Sequence, residues 1–371
     1  MSWQLVTENE VFAEILAAHS DAKAVVIDTE FMRTDTFYAK AALIQLCFVG
    51  SEEAWLIDPL TVSDLSPLAE LLENPHITKI LHSPSEDLEV FQHLLGCLPR
   101  PLFDSQRAAA CLGLGFGLGY RGLIEQLTGA QIPKEETRSN WLRRPLSDAQ
   151  LEYAAQDVLP LARLYPRLHQ ELLDGGRLEW VLEDSESAVQ VALAPAAPPH
   201  LRIKSAWKLK PVQLARLAAL CAWREERAVV VDKPRNWILH DKSCLALAER
   251  GARSEADLAT IPDMPASVVR KQGATLLTVL QQAEASGDTV PPLPEPLSAQ
   301  QRNTVKAMKK KVAGIAQEWQ VAPEILLTGK DYELLVRLAE PGAVIAEPVT
   351  WAGWRRQPLI EPLLEIANAA R

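Results

Sequence analysis

Hydrophobic residues in the first hundred positions form short runs in some segments and recur every three or four residues in others. The runs at 24–27, 42–49 and 54–57 are four to eight residues long, the length of buried strands. Residues 65–72 and 87–95 instead place apolar positions three or four apart, which is typical of amphipathic helices. Strands and helices in this mixed order predict an α/β domain at the N-terminal end of the chain.

Beyond residue 200 the apolar spacing is helical and strand-like runs are scarce. The segments with this spacing are 212–227, 243–250, 266–285, 299–320 and 332–339. Two proline-rich stretches, at 192–199 and 290–296, have the composition of semi-rigid linkers. We therefore predict three domains: an α/β domain over 1–195 and two small all-α helical bundles over 205–286 and 297–371.

The bulk composition narrows the class of protein. The chain has 371 residues, 48% apolar and 23% charged, as in a soluble globular protein. No apolar run approaches the roughly 20 residues of a membrane helix, and the N-terminus lacks a basic and apolar export signal. Five cysteines form no C-x-x-C pair, which favours reduced thiols over zinc ligands. These features predict a cytoplasmic protein with no membrane partner.

The charge is distributed unevenly along the chain. Residues 1–200 carry 14 Lys and Arg against 29 Asp and Glu, whereas residues 201–371 carry 24 against 19. An acidic part can concentrate divalent cations, and a basic part can attract a polyanion. Ordinary surface variation explains the same asymmetry, so charge alone does not decide between a functional division of the chain and chance.

Two acids, Asp28 and Glu30, stand at the end of the apolar run that begins at residue 24. Side chains alternate along a strand, so residues two apart share one face. The pair is therefore a candidate for chemistry. The competing interpretation is a strand that finishes in a polar loop, where acids are common.

Two further elements place acids on helices. Ser85 is a candidate N-cap, and Asp87 follows in the first helical turn, where an acid also complements the helix dipole without any catalytic role. Tyr153 and Asp157 lie four residues apart in a helix predicted to begin after Ser147, so they share one face. A surface pair is the structural alternative for these two residues.

Taken together, the acids imply a specific chemistry. Four carboxylates brought within a few ångströms repel and raise one another's pKa values unless cations bind between them. Hard oxygen ligands select Mg²⁺ or Mn²⁺ over metals that prefer thiolates. Two such ions roughly 4 Å apart can assist phosphodiester hydrolysis.

These motifs, in this order, resemble those of the DEDD superfamily of 3′-5′ exonucleases. The matching stretches are Asp-Thr-Glu-Phe at 28–31, Ser-Glu-Asp-Leu-Glu-Val-Phe at 85–91 and Tyr-x-x-x-Asp at 153–157. Tyr153 matches the tyrosine (DEDDy) subgroup. The run Trp-Leu-Arg-Arg-Pro-Leu at 141–146 and the two helical segments after residue 200 are similar to bacterial ribonuclease D with its tandem HRDC domains.

The resemblance implies a mixed, ribonuclease H-like sheet flanked by helices. It also implies that two Mg²⁺ or Mn²⁺ ions are held by Asp28, Glu30, Asp87 and Asp157, and that Tyr153 orients the attacking water. With a reference pKa of about 10, a tyrosine is a poor general base at neutral pH. The implied activity is 3′-5′ exoribonuclease action on tRNA precursors and other structured RNAs, releasing 5′-monophosphates.

Several residues outside the acidic motifs are candidates for RNA contact by stacking or by charge. They are His82, Trp141, Arg143, Arg144, Lys208 and Lys210. Each also has a structural interpretation: a hydrogen-bonded histidine near a strand end, a core tryptophan, and solvated cations on a helix face. The sequence leaves both interpretations open.

Two other functions compete with an exoribonuclease. The same acidic motifs serve DNA-directed 3′-5′ exonucleases, and no residue in the chain can be identified as reading the 2′-hydroxyl. A nucleic-acid-binding module with an inactive site is the second alternative, although all five motif residues are present. The expected partner is RNA with a free 3′ end, and no obligate protein partner is inferred.

Overall fold

A computed structural model describes residues 2–131, 139–286 and 289–370 of the chain. The chain divides into two compact units. The larger contains residues 1–32, 40–194 and 297–371, and the smaller contains residues 33–39 and 195–296.

The described residues of the larger unit include a six-stranded mixed sheet. Its strands are β1 (Ser2–Val6), β2 (Ala24–Met32), β3 (Lys40–Phe48), β4 (Glu53–Ile57), β5 (Thr78–Leu81) and β6 (Leu102–Asp104). Their order across the sheet is β1-β4-β3-β2-β5-β6. The pairs β2–β3 and β3–β4 are antiparallel, whereas β1–β4, β2–β5 and β5–β6 are parallel. Strand β2 is therefore central in the sheet.

Seventeen α-helices, numbered in chain order, are distributed over the described residues of the two units. The larger unit begins with α1 (Asn9–Ala18), α2 (Ser66–Glu73), α3 (Ser85–Leu95), α4 (Ser105–Cys111), α5 (Tyr120–Thr128), α6 (Asp148–Gln156), α7 (Leu159–Asp174) and α8 (Leu178–Leu193). The smaller unit has α9 (Pro211–Val230), α10 (Arg235–Ile238), α11 (Asp241–Arg250), α12 (Glu255–Ala259) and α13 (Ala266–Ala285). The larger unit resumes with α14 (Ala299–Trp319), α15 (Pro323–Leu326), α16 (Gly329–Leu338) and α17 (Glu361–Ala369).

Hydrophobic cores lie on both faces of the sheet. Val25 and Ile27 of β2 pack with apolar residues of α1, α2 and α3. Ala24 and Val26, on the opposite face of the same strand, belong to a second core with α4, α6 and α7. Because β2 is covered on both faces, its apolar residues form a continuous run instead of an alternating pattern.

The C-terminal segment, 297–371, shares the second of these cores. Met308 of α14, Leu335 of α16 and Leu363 of α17 are buried in the same cluster as Val181 of α8. Three tryptophans from α8 and the C-terminal segment also pack together: Trp180 stacks on Trp354 with ring centroids 4.4 Å apart, and Trp319 lies 5.1 Å from Trp180. The predicted third segment therefore packs into one compact unit with the α/β segment.

The smaller unit has a helical core of its own. The long helices α9 and α13 pack with α11, and Leu217, Leu247 and Leu276 are fully buried between them. Residues 33–39 attach to this unit through Asp232, whose Oδ1 accepts hydrogen bonds from the N–H groups of Phe37 and Tyr38.

The predicted fold class is confirmed: an N-terminal mixed sheet flanked by helices precedes a helical region. The five C-terminal helical segments and three of the six strands correspond to predicted ones. Strands β5 and β6 were missed because they have only four and three residues, and the five-residue strand β1 was missed as well. Among the helices that the structure describes, none is both long and apolar enough to cross a membrane.

Candidate active site

Strand β2 presents two of the predicted acids. Asp28 pairs across the sheet with Gln45, and Glu30 pairs with Leu43. The register shifts immediately after Glu30, where β3 contains one extra residue, Ala42, and forms a bulge. On the other side, β2 pairs with β5 only at residues 24–26, so the part of the strand that bears the acids is not paired with β5.

Helix α3 carries Asp87 in its first turn. Ser83, with φ of +58°, turns the chain at the end of β5, and Pro84 precedes the helix, so the predicted cap Ser85 is instead its first residue. Asp87 is buried, and its Oδ1 accepts a hydrogen bond of 2.5 Å from Thr29 Oγ1. Thr29 lies between the two acids of β2, so this bond ties α3 to that strand.

Helix α6 and its C-terminal end carry the remaining pair. The predicted cap Ser147 is confirmed: its hydroxyl accepts from the N–H of Gln150, whose side chain accepts from the N–H of Ser147. Asp157 is the residue that ends the helix, four positions after Tyr153. A side-chain hydrogen bond joins Tyr153 and Asp157.

These elements surround a cavity of about 180 Å³. Its polar lining consists of Asp28, Glu30, His82, Tyr120, Tyr153 and Asp157. Asp87 is not part of this lining, although its charge acts on both acids of β2. The structure therefore brings three of the four predicted acids and the tyrosine to one cavity, with the fourth acid beside it.

The electrostatics of the cavity are those of crowded carboxylates. Burial raises the pKa of Asp28 well above its usual value, and repulsion from Asp87, Asp157 and Glu30 raises it further. Burial likewise raises the pKa of Glu30 to about 9, with added repulsion from Asp157 and Asp87. The pKa values of Asp87 and Asp157 are also raised, mainly by burial, while Arg121 lowers that of Asp157. Positive charge bound in the cavity would relieve this repulsion.

The donor set fits a hard divalent cation in its chemistry, because it offers carboxylate oxygens with the phenol oxygen of Tyr153 beside them. Across residues 2–131, 139–286 and 289–370, however, no three His, Cys, Asp or Glu side chains form a ready-made ligand set. Thr29 holds Asp87, and Tyr153 holds Asp157.

Three of the predicted RNA-contacting residues have structural contacts instead. Trp141 is 2% exposed and lies in the core beside Tyr153, so it offers no free face for stacking on a base. Arg144 donates to both carboxylate oxygens of Asp58 and to the carbonyls of Ala42 and Trp141. The predicted RNA contacts of Trp141 and Arg144 are thus corrected to structural roles.

His82 is the third residue whose contacts are internal. One ring nitrogen lies 2.9 Å from Ser105 Oγ and the other 3.0 Å from the carbonyl oxygen of Leu118. Burial lowers the pKa of His82 to about 4, so the ring is neutral. Both of its nitrogens are engaged within the protein, but the ring lines the cavity, so contact between His82 and RNA stays a prediction.

The remaining candidates for RNA contact have accessible side chains. Arg143, Lys208 and Lys210 are exposed, and the Lys208 ammonium lies 5.4 Å from the centre of the Trp207 ring. Arg143 belongs to the larger unit, and the two lysines to the smaller one. They remain predicted phosphate contacts.

Sequence reasoning missed two residues of the site. Tyr120 lines the cavity, and its hydroxyl donates to the carbonyl of Gln156, which braces the end of α6. Thr29 holds Asp87. The position of Thr29 between two acids of one motif was a usable signal, whereas nothing in the sequence around Tyr120 distinguished it.

The fold and the site define the class as a 3′-5′ exonuclease. The family model described as 3′-5′ exonuclease matches residues 3–173, and the HRDC domain model matches residues 213–280. Ribonuclease D of Pseudomonas paraeruginosa is 41% identical over 93% of this chain and 92% of its own, and that of Escherichia coli is 32% identical over 98% of each. The crystal structure of Escherichia coli RNase D superposes with a TM-score of 0.89, at 31% identity, over 100% of this chain and 99% of that one. The chain belongs to the ribonuclease D family, and it is a 3′-5′ exoribonuclease.

Proposed function

We propose that the chain trims the 3′ ends of tRNA precursors and other structured RNAs in the cytoplasm, releasing 5′-monophosphates. The observation that carries the proposal is the convergence of Asp28, Glu30, Asp157 and Tyr153 on one cavity, with Asp87 hydrogen-bonded to the same strand. The related Escherichia coli RNase D is an exoribonuclease involved in structured RNA processing. This similarity supports the choice of substrate class.

In this proposal the enzyme belongs to the DEDDy subgroup, and Asp28, Glu30, Asp87 and Asp157 hold two Mg²⁺ or Mn²⁺ ions. When bound, such cations supply Lewis acidity to the attacking water and neutralise charge on the leaving oxygen. The crowded, buried carboxylates favour this use, because burial and mutual repulsion raise their pKa values when no cation is present.

Tyr153 has a positioning role in this mechanism. Its hydroxyl is hydrogen-bonded to Asp157 and faces the same cavity as Asp28 and Glu30. A phenol with a reference pKa of about 10 is a poor base at neutral pH, so Tyr153 orients the attacking water through a hydrogen bond. Tyr120 supports Tyr153 indirectly, since its hydroxyl braces the carbonyl of Gln156 in the same helix.

The helical segments are proposed to be tandem HRDC-type domains that hold the body of the RNA. The first covers residues 205–286 and includes the matched region 213–280. The second covers residues 297–371, packed on the nuclease core. No obligate protein partner is required for this function.

The test uses RNA labelled at its 5′ end, incubated with the full-length protein. With Mg²⁺ or Mn²⁺ we expect stepwise shortening from the 3′ end, and with a chelator we expect none. Asp28→Asn and Asp157→Asn should abolish hydrolysis while RNA binding and folding persist. Glu86→Gln is a matched control, because Glu86 is exposed next to the buried Asp87. Full activity in Asp28→Asn or Asp157→Asn would overturn the site assignment.

A DNA oligonucleotide of the same sequence separates the two substrate classes. Faster shortening of the RNA supports the proposal, whereas equal or faster shortening of the DNA contradicts it. An absence of cleavage on both substrates in Mn²⁺ would contradict catalysis altogether.

A further inference from the structure

The smaller unit contains a cavity of about 410 Å³ whose lining is rich in arginine. Four arginines and one carboxylate line it: Arg33, Arg202, Arg224, Arg235 and Asp241. Thr34, Thr36 and Asn236 add polar groups to the lining. Guanidinium groups present several N–H donors in a plane, which matches the oxygens of a phosphate.

The acids near this cavity are already paired. Asp241 Oδ1 accepts a hydrogen bond of 2.6 Å from Arg224 Nη1, and Glu225 forms an ion pair with Arg235. Arg202 is exposed, and its charge acts on Glu225, whose carboxylate is already paired with Arg235. The lining therefore keeps an excess of positive charge, which Arg202 presents to solvent.

Arg224 adds a buried charge behind the cavity. The residue is 2% exposed, and its Nε has no partner among the described residues. Its other contacts are the carbonyl of Leu239 and the carboxylate of Asp241. A buried cation next to a low-dielectric wall acts more strongly on an anion in the cavity than a solvated lysine does.

One wall of the cavity is formed by the segment 33–39. Arg33 Nε donates to the carbonyl of Phe37, and Asp232 accepts from two backbone N–H groups of this segment. Lys233 Nζ donates to Asp35 Oδ2 at 3.1 Å. Arg33 follows Met32, the last residue of the strand that bears Asp28 and Glu30. The wall and the proposed catalytic acids thus belong to one continuous stretch of chain.

An exposed aromatic ring accompanies the arginines. Trp237 is 62% exposed and lies in α10, one residue after the cavity residue Asn236. The Lys233 ammonium lies 5.6 Å from the centre of its ring. A cationic cavity next to an exposed tryptophan is the combination by which proteins hold a single-stranded nucleic acid, with the phosphate bound by charge and a base stacked on the ring.

We propose that the arginine-lined cavity binds a backbone phosphate of the RNA, upstream of the 3′ end that is hydrolysed, and that Trp237 stacks on an adjacent base. This inference rests on the proposed exoribonuclease function for the identity of the polyanion. Arg202 provides the accessible guanidinium, and Arg224 provides the buried one. The site contributes affinity that depends on salt and is independent of sequence.

The experiment measures RNA binding without hydrolysis. A fluorescently labelled single-stranded RNA of about 16 nucleotides, at the upper end of the usual site sizes, is titrated with full-length protein in a chelator over a series of KCl concentrations. Arg202→Gln should weaken binding about three- to tenfold and reduce the slope of log affinity against log salt by about 0.7. Trp237→Ala should weaken binding about fivefold or more and leave the salt slope unchanged.

Lys204→Gln is the matched control, because Lys204 is an exposed cation two residues from Arg202 that does not line the cavity. It should bind RNA like the wild type. The proposal is overturned if Arg202→Gln and Trp237→Ala both retain wild-type affinity and salt slope. A second result also overturns it: inorganic phosphate raises the melting temperature of the wild type but not of Arg202→Gln, while the two proteins bind RNA with equal affinity. The site then binds a small anion and not RNA.

Failure of this inference is distinguishable from failure of the proposed function. Binding is measured without divalent metal, so a wild type that binds RNA through Arg202 but does not hydrolyse it in Mn²⁺ contradicts only the catalytic proposal. A wild type that hydrolyses RNA while Arg202→Gln and Trp237→Ala bind normally contradicts only the cavity.

Discussion

A buried ion pair connects the C-terminal segment to the nuclease core, and its removal should destabilise the larger unit. Arg355 and Asp184 of α8 have side chains only 6% and 4% exposed, and both terminal guanidinium nitrogens, Nη1 and Nη2, donate to the carboxylate. Arg355 also donates to the carbonyls of Leu326 and Ile325. Replacing Arg355 by Met preserves most of the side-chain volume but leaves the carboxylate and two carbonyls without these donors.

The magnitude follows from what remains at Asp184. Removing one partner of a buried ion pair costs about 3–5 kcal/mol, because the other charge stays desolvated. Asp184 keeps Trp354 Nε1 at 3.3 Å and Arg107 Nε at 3.7 Å, and these weaker contacts offset part of the loss. We therefore expect Arg355→Met to lower the free energy of unfolding by about 3 kcal/mol.

Urea unfolding monitored by tryptophan fluorescence measures this change, because the Trp180 and Trp354 rings are stacked beside the ion pair. Exonuclease activity measured across the same urea range should be lost together with the fluorescence signal. Arg356→Met is the matched control: among the residues that the structure describes, its guanidinium forms ion pairs with the partly exposed Glu347 and Glu361. Exposed pairs contribute little, so this variant should unfold nearly as the wild type does.

The double variant Arg355→Met with Asp184→Leu gives the second measurement. Since it leaves no unpaired buried charge, its destabilisation should be smaller than the sum of the two single changes. If Arg355→Met unfolds no more easily than Arg356→Met, the C-terminal segment does not depend on this ion pair, and the reasoning fails.

Three further predictions concern single positions. Gly353→Ala should destabilise the larger unit by about 1–3 kcal/mol, as measured by urea unfolding. The reason is that φ at this position is +62° and that the new Cβ would overlap the carboxylate of Glu183. Wild-type stability of this variant would contradict the prediction. Burial lowers the pKa of Lys79 to about 7, below its unfolded value of about 10.5, so the unfolded state binds more protons between these pH values and stability rises with pH there. Relative to Lys79→Met, the free energy of unfolding of the wild type should increase by about 2 kcal/mol from pH 7 to pH 9. Replacement of the exposed Lys23 is the control, and the stability difference between that variant and the wild type should not change with pH. If the difference between the wild type and Lys79→Met is also constant, Lys79 stays charged. Tyr153→Phe should lower kcat about tenfold to a hundredfold with KM within about twofold, and a change in KM alone would reassign Tyr153 to substrate binding.

The helical periods beyond residue 200 predicted their elements closely. Helix α13 was predicted over residues 266–285, which are its bounds in the structure. Such long amphipathic segments carry many repeats of one period, so local pattern outweighs tertiary effects. The three-residue strand β6 lacks enough residues for any period, and its pairing with β5 is what makes it a strand.

The candidate site residues also differ in whether a local pattern or the tertiary structure decides their contacts. Asp28 and Glu30 were identified from their alternation, because the face of a strand residue is a local property. Trp141 and Arg144 were expected to contact RNA, yet one lies in the core and the other pairs with Asp58, 86 residues away in the sequence. Residue type indicated what these side chains can bind, but not which partner was within reach.

The sequence by itself determined the α/β class of the N-terminal part and the helical nature of the rest, and it identified the acids that are candidates for binding divalent cations. These follow from hydrophobic period and side-chain chemistry, which are encoded in consecutive residues. The tertiary structure alone decided that residues 297–371 pack on the nuclease core, and that residues 33–39 line an arginine cavity with residues near 202 and 235. Such contacts join segments far apart in the chain, and their free energy depends on burial and pairing that no local pattern records.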